Sequence, residues 1–283
     1  MKILIMCFTL LICMAAVIII WDVHHFVVKK YALTGKKLKK NYRFVMLSDL
    51  HGKSFGKNHE KLLHKIDELA PEGIFIAGDM ITAKPGKNFD TVVDFIRKLA
   101  DKYPVYYGSG NHEYRMEIYP EKYGDMSKKF EDAIRHPNLV RLKNQKFLLE
   151  KENILIYGLE IDREFYKKFH APEMEERYLE QKLGKPDEEA YTIMIAHNPA
   201  YFPAYAKYKT DLVLSGHVHG GIARLPFLGG VISPALRLFP KYDGGLFKER
   251  NTTMILGRGL GTHTLPVRFL NPGELILVTL EAE

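Results

Sequence analysis

Cysteine is nearly absent: the 283 residues include two, Cys7 and Cys13, and both lie in an apolar N-terminal run. The rest of the chain has no disulfide to draw on and must be held by its own core. Also missing, after Arg43, is any basic helix or interleaving of aromatic and basic residues, the pattern that polynucleotide binding needs. The formal charge of +7 does not restore that reading, because residues 1–40 hold Lys2, Lys29, Lys30, Lys36, Lys37, Lys39 and Lys40 against Asp22 alone. The body that follows carries about +1 and is not built to attract a nucleic acid polymer. There is no internal repeat and no low-complexity tract. The length suits one α/β domain with a well-buried core and does not force a second.

What the chain does have begins at its N-terminus. Ile3 to Ile20 is apolar apart from Thr9, and as a helix it spans about 27 Å, close to the hydrocarbon thickness of a bilayer. Trp21 marks an interface, and the lysines follow. A cleaved signal peptide is the alternative, but the run is long for one and no small-x-small site separates it from Asp22. Cys13 follows Ile12 rather than a small residue, which argues against a lipoprotein site. The expected organisation is a single-pass transmembrane anchor over residues 1–28, a basic juxtamembrane linker over 29–41 and one domain over 42–283. One lysine before the span against six after it favours a cytoplasmic domain, although such a stretch also suits anionic head groups on either face.

Beyond the anchor, strand and helix signals alternate. Lys57 to Leu69 spaces Leu62, Leu63, Ile66 and Leu69 as one helical face and stops at Pro71; Phe89 to Leu99 repeats the pattern with Val92, Val93, Phe95, Ile96 and Leu99. Helices are also expected over Ser127–Arg135 and Pro172–Leu183. Phe147–Glu150 and Ile154–Gly158 read as a hairpin opening a second sheet, with later strands at Met254–Leu256 and Leu275–Leu280. Strands that first come with helices and later without them point to two stacked mixed sheets with helices outside. The stretch from Ile222 to Arg250, apolar and broken by Pro and Gly, reads as a long irregular loop of the kind that usually carries function.

Five short polar clusters punctuate this pattern: Asp49-Leu50-His51, Gly78-Asp79, Gly110-Asn111-His112-Glu113, His197-Asn198 and Gly216-His217-Val218-His219. Most follow an apolar, β-branched run such as Phe44–Leu47, Ile74–Ala77 or Tyr191–Ile195, which sets them at the C-terminal ends of buried strands. Each is weak alone, since a lone Asp-x-His is more often a surface or capping pair. Together they take five of the twelve histidines to strand ends beside Asp, Asn or Gly. Imidazole, carboxylate and amide donors suit Mn, Fe or Zn better than an all-oxygen cage. Two such ions about 4 Å apart acidify a water and neutralise a phosphoryl group. Asp79, directly after a strand, is the natural bridging carboxylate; Asp49 and His51, two apart in an extended segment, would point the same way, and His217 and His219 repeat that spacing.

This ordered set resembles the calcineurin-like metallophosphoesterases from about Arg43 to Leu280. The resemblance implies a four-layer α-β-β-α sandwich. It implies that Asp49, His51, Asp79 and His219 hold one divalent ion while Asp79, Asn111, His197 and His217 hold the other. It further implies that His112 contacts the scissile phosphate as general acid or transition-state stabiliser. One departure is visible: many relatives carry a second acidic residue three positions after the bridging Asp, where this chain has Thr82. A carboxylate orienting His112 is thus missing from that place, and Glu113 is its only acidic neighbour in sequence.

Ser215–Gly221, Leu225-Pro226, Pro240-Lys241-Tyr242, Gly257-Arg258-Gly259-Leu260-Gly261 and Leu265–Phe269 are similar to the bacterial membrane-anchored branch, which includes UDP-2,3-diacylglucosamine pyrophosphatases. The Gly257-x-Gly-x-Gly run need not open a helix, so close backbone approach to the metal site explains its glycines better than a nucleotide does. Arg258 and Arg268 are candidates to neutralise a second phosphate, with a salt bridge the commoner fate. The expected function is a membrane-anchored dinuclear phosphohydrolase cleaving phosphate ester or pyrophosphate bonds of a small-molecule or lipid substrate. The apolar Ile222–Arg250 stretch would accept an acyl chain or dip into the bilayer interface. The rival readings are a cyclic- or small-nucleotide phosphodiesterase with the same ions, and a non-catalytic scaffold on the same fold.

Overall fold

A computed structural model describes residues 1–167, 172–233, 238–262 and 266–283. Leu236, Arg237 and Leu265, singled out in the sequence, lie outside the described residues. The chain runs α1 (Lys2–His24), β1 (Phe26–Gly35), β2 (Tyr42–Leu47), α2 (Glu60–Leu69), β3 (Gly73–Ala77), α3 (Asp90–Lys102), β4 (Val105–Gly108), α4 (Asn111–Ile118), α5 (Pro120–Tyr123), α6 (Met126–Ala133) and β5 (Leu139–Leu142). It continues through β6 (Gln145–Leu149), β7 (Ile154–Leu159), α7 (Glu176–Leu183), β8 (Tyr191–Ala196), α8 (Phe202–Lys207), β9 (Leu212–Ser215), β10 (Arg224–Leu225), β11 (Gly229–Gly230), β12 (Gly245–Glu249), β13 (Thr252–Leu256) and β14 (Gly273–Ala282).

The strands form two six-stranded mixed sheets, β1-β14-β2-β3-β4-β5 and β12-β13-β9-β8-β7-β6, and a small β10-β11 ribbon. Their alternation explains the stacking. In β2, Phe44 and Met46 face the other sheet while Val45 and Leu47 face the helices; in β8, Ile193 and Ile195 face inward while Met194 and Ala196 face out. Both faces of these central strands are covered, which is why they read as unbroken apolar runs. Three apolar layers result: α2 and α3 on the first sheet, sheet on sheet, and α7 and α8 on the second. This is the expected four-layer sandwich.

The expected basic linker is not a linker. Residues 26–35 form β1, paired in parallel with β14 from Phe26 opposite Gly273 to Gly35 opposite Ala282. The lysines hid it: β1 alternates half-buried and exposed positions, with Lys29 on a solvent-facing position of an edge strand. Lys37 and Lys40 are likewise tied to the body, through Asp211 at 3.1 Å and Glu152 at 2.7 Å. Only His25 separates α1 from β1. The expected loop over 222–250 also contains regular structure, since β12 pairs antiparallel with β13.

Phe44 is fully buried between the sheets, its ring centroid 4.3 Å from that of Phe75. Phe44→Ala is expected to lower stability by about 3–5 kcal/mol, read by urea unfolding under circular dichroism; a loss below about 1 kcal/mol would contradict the sheet-on-sheet core.

Candidate metal centre

Every cluster singled out in the sequence lies just past the C-terminal end of a strand: Asp49 after β2, Asp79 after β3, Asn111 and His112 after β4, His197 after β8, and His217 and His219 after β9. β2, β3 and β4 are parallel neighbours in one sheet, and β8 and β9 in the other, so their ends open on one edge of the sandwich. The turns are stitched together: Asp49 N donates to the Gly78 carbonyl at 2.9 Å, His51 N to Asp79 O at 3.1 Å, and Gly216 N to His197 O at 3.0 Å.

The backbone there is not extended, as the Asp-x-His spacing suggested. Asp49, His51, Asp79, His217 and His219 all take φ between 52° and 74°. Non-glycine residues rarely visit this left-handed region, and such strain concentrates at functional sites. The turn it makes is what aims each side chain back across the sheet edge.

The side chains meet. His197 Nε2 lies 3.2 Å from Asp79 Oδ2 and 3.8 Å from Asp49 Oδ1; His219 Nε2 is 3.4 Å from Asp49 Oδ1; His51 Nε2 is 3.1 Å from His219 Nε2 and 3.9 Å from Asp79 Oδ2. Asp49, His51 and His219 form one group with donor atoms within 4.8 Å of each other, and Asp79, His197 and His217 form a second. His112 joins His51 and Asp79 in a third such group, so His51 and Asp79 each belong to two. Asn111 is buried with Oδ1 lacking any hydrogen-bond donor among the described residues, as does Asp49 Oδ2. Buried oxygens without donors are costly, and a bound cation is one partner that relieves them. The clusters are compatible with a binuclear metal site.

Surrounding bonds fix the donors' orientation. His197 Nδ1 meets the Ala77 carbonyl at 2.6 Å, which turns Nε2 inward. Asp79 Oδ1 accepts His112 N at 2.7 Å, leaving Oδ2 for the cluster. Glu113 does not orient His112. Its carboxylate accepts the amides of Asp79, Met80 and Gly110 at 2.9, 2.9 and 3.0 Å and the Tyr107 hydroxyl at 2.7 Å, riveting the Asp79 turn to the start of α4. His112 is oriented instead by the backbone: Ala83 N donates to its Nδ1 at 2.8 Å, which leaves the ring proton on Nε2. Thr82, in place of the missing carboxylate, donates to His51 O at 3.2 Å. Asn198 caps the turn after β8 through Ala200 N and donates from Nδ2 to the Phe165 carbonyl at 3.2 Å.

The glycine run packs as its close-approach reading requires. Leu260 N and Gly261 N donate to Ser48 O at 3.1 Å and Asp49 O at 2.7 Å, and a side chain at Gly259 or Gly261 would collide with Asp49 or the Leu50 carbonyl. Arg268 is not a phosphate ligand. It is buried, and its guanidinium donates to the carbonyls of Gly261 (3.0 Å from Nε), Asn271 (3.1 Å) and Arg258 (2.8 Å). Arg258 sits 3.0 Å from the Glu274 carboxylate. The ion pair of Arg258 is the salt bridge expected from the sequence as the commoner fate, whereas the role of Arg268 was missed because it acts on backbone carbonyls.

Burial and close approach of the donors raise their proton affinities. Burial raises Asp79 to about 7, against the pull of His197, and burial also raises Asp49. Burial opposes charge on His197, but Asp79, Asp49 and the Ala77 carbonyl together lift it to about 10.

With this geometry established, the relatives can be placed. The sequence profile of the calcineurin-like phosphoesterases matches residues 42–221, and the chain belongs to that family. It is 28% identical over 262 residues to an uncharacterized metallophosphoesterase of Campylobacter jejuni, covering 90% of this chain and 63% of that protein. A metallophosphoesterase of Aquifex aeolicus matches at 28% identity, covering 90% of this chain and 92% of its own. The UDP-2,3-diacylglucosamine pyrophosphatase LpxG of Chlamydia trachomatis is 24% identical, covering 83% of this chain and 82% of its own. The solved NAD nucleotidase NadN of Haemophilus influenzae aligns with a TM-score of 0.41 at 15% identity, over 77% of this chain and 45% of that one.

Cation uptake must displace the proton held on His197, so titration with Mn²⁺ at pH 7.5 in buffers of different ionisation heat is expected to release about one proton per chain. Because the donors bind only when deprotonated, affinity should fall as pH drops below about 10 and more steeply below about 7; affinity independent of pH would exclude these donors. Glu113→Gln should weaken Mn²⁺ binding by about 10–100-fold through the loosened Asp79 turn.

Proposed function

We propose that this chain is a membrane-anchored, dinuclear metal-dependent phosphohydrolase acting on phosphate ester or pyrophosphate bonds of a small-molecule or lipid substrate. The carrying observation is that Asp49, His51, Asp79, His112, His197, His217 and His219, from five strand ends, fall into overlapping donor clusters, with Asp49 Oδ2 and Asn111 Oδ1 buried without donors among the described residues. In this reading Asp49, His51, Asp79 and His219 hold one cation and Asp79, Asn111, His197 and His217 the other, with Mn, Fe or Zn suited to the donors. When bound, such a pair supplies Lewis acidity, lowering the pKa of water and neutralising phosphoryl charge.

The chain's own groups do the rest. His112 presents its Nε2 proton to a phosphoryl or leaving oxygen, held in that tautomer by the Ala83 amide. Glu113 and the left-handed turns keep Asp79 at the centre without reorganisation, the condition under which electrostatic stabilisation is most effective. The anchor is α1, a helix long and apolar enough to cross a membrane, and the lysine excess after it favours a cytoplasmic body. The likeness to LpxG favours a substrate with a pyrophosphate and acyl chains.

The full chain with Mn²⁺ is expected to hydrolyse bis-p-nitrophenyl phosphate, and Asp79→Ala or Asn111→Ala to abolish turnover. His112→Ala should cost about 10²–10⁴-fold in kcat while Mn²⁺ still binds. Normal turnover by Asp79→Ala would defeat the metal assignment, and turnover of nucleotide but not lipid phosphates would redirect the substrate class.

A further inference from the structure

The end of α1 is bonded into the candidate metal centre. Nearly all of the helix is exposed, but Asp22 is 6% exposed. Its Oδ2 accepts the Asn271 amide at 2.8 Å. Asn271 is wholly buried, and its Nδ2 donates to the carbonyls of His219 at 2.8 Å and Gly221 at 2.7 Å. Thus one residue, Asn271, lies between the last turn of the helix and a candidate metal ligand.

The same segment carries an apolar lip. Arg224 N donates to Phe269 O at 3.0 Å, Phe269 N to Ile222 O at 3.1 Å, Val231 N to Ala223 O at 2.9 Å and Phe239 N to Val231 O at 2.9 Å. This ladder joins the residues beside Asn271 to Leu225, Phe227, Leu228, Leu238, Phe239 and Leu270, all large, apolar and at least 40% exposed, with Phe227 completely so. Phe227, Phe239 and Leu270 have φ of 67°, 44° and 53°. Bulky residues avoid that region, and holding it costs about 1–3 kcal/mol each, so the exposure of these side chains is maintained against local strain. Contiguous apolar exposure of this kind marks an interaction surface.

The helix identifies the occupant. Steps between laddered strands are about 5 Å, so the lip lies close to the depth at which α1 leaves the bilayer. Trp21, 60% exposed and stacked on His25 at 3.6 Å, is an interfacial type of residue at that point.

We propose that the end of α1 and this lip form one face seated in the bilayer interface, clamped to His219 through Asp22 and Asn271, so that the metal centre opens at head-group depth. The proposal rests on the anchor reading above. It makes the phosphate of a membrane-embedded lipid reachable without extracting its acyl chains.

The test uses the full chain in vesicles of phosphatidylcholine with a minority of phosphatidylglycerol. In a Trp21→Phe background, the indole introduced by Phe227→Trp is expected to be quenched by lipids brominated high on the acyl chain. Release of the chain from vesicles by alkaline carbonate would sink the anchor reading; retention with an unquenched indole would sink the lip alone. For the clamp, Asp22→Ala should weaken Mn²⁺ binding about tenfold, and Asp22→Asn, which keeps an acceptor for the Asn271 amide, should restore it. Equal Mn²⁺ affinity in the folded Asp22→Ala and unaltered chains would overturn the clamp.

Discussion

The constraint on which the site depends is that two carboxylates and five imidazoles cluster in the turns at one sheet edge. Asp49 Oδ2 and the buried Asn111 Oδ1 have no donor among the described residues. Each orphaned oxygen costs about 1–3 kcal/mol, and a native fold tolerates that where a ligand relieves it. The arrangement is compatible with a binuclear metal site.

Maintaining so unfavourable a cluster requires that the backbone, not the donors, carry the architecture. Glu113 spends its whole carboxylate on three amides and a hydroxyl, and Arg268 spends its guanidinium on carbonyls of the glycine run. The glycines let that run lie against Asp49 and Leu50, so the segment before β14 closes the site from the far side of the first sheet. Full charges bound to backbone dipoles form strong, directional bonds. They hold the left-handed turns in place.

How legible this was follows from the same division. The strands were readable because both their faces are buried, and the candidate ligands because they interrupt apolar runs at regular places. Orientation was not readable. The Asp-x-His spacing suggested an extended segment, whereas the convergence comes from left-handed φ values, which Asp and His adopt more readily than most residues but which spacing alone does not reveal. The missing carboxylate at Thr82 suggested an unsupported His112, yet a backbone amide from Ala83 serves, and backbone donors leave no mark in sequence. β1 was hidden by its lysines, because an edge strand needs only one covered face and guards the other with charge. Arg268, a candidate for phosphate binding by residue type, is occupied by the carbonyls of Arg258, Gly259, Gly261 and Asn271, which only the fold reveals.

The loss of the linker changes what the N-terminal helix can do. A basic tether would let the body sample many orientations above a membrane, and its contribution would be only a raised local concentration. Here a single residue joins α1 to β1, β1 runs beside β14 for its full length, and β14 pairs with β2, whose end supplies Asp49. An orientation imposed on the helix is passed through one hydrogen-bonded sheet to one side of the metal cluster, and through Asp22 and Asn271 to the other. With α1 as the proposed anchor, a helix fixed at two points of the site would orient that site, and orientation toward a two-dimensional substrate pool would lower an entropic barrier that tethering alone leaves in place.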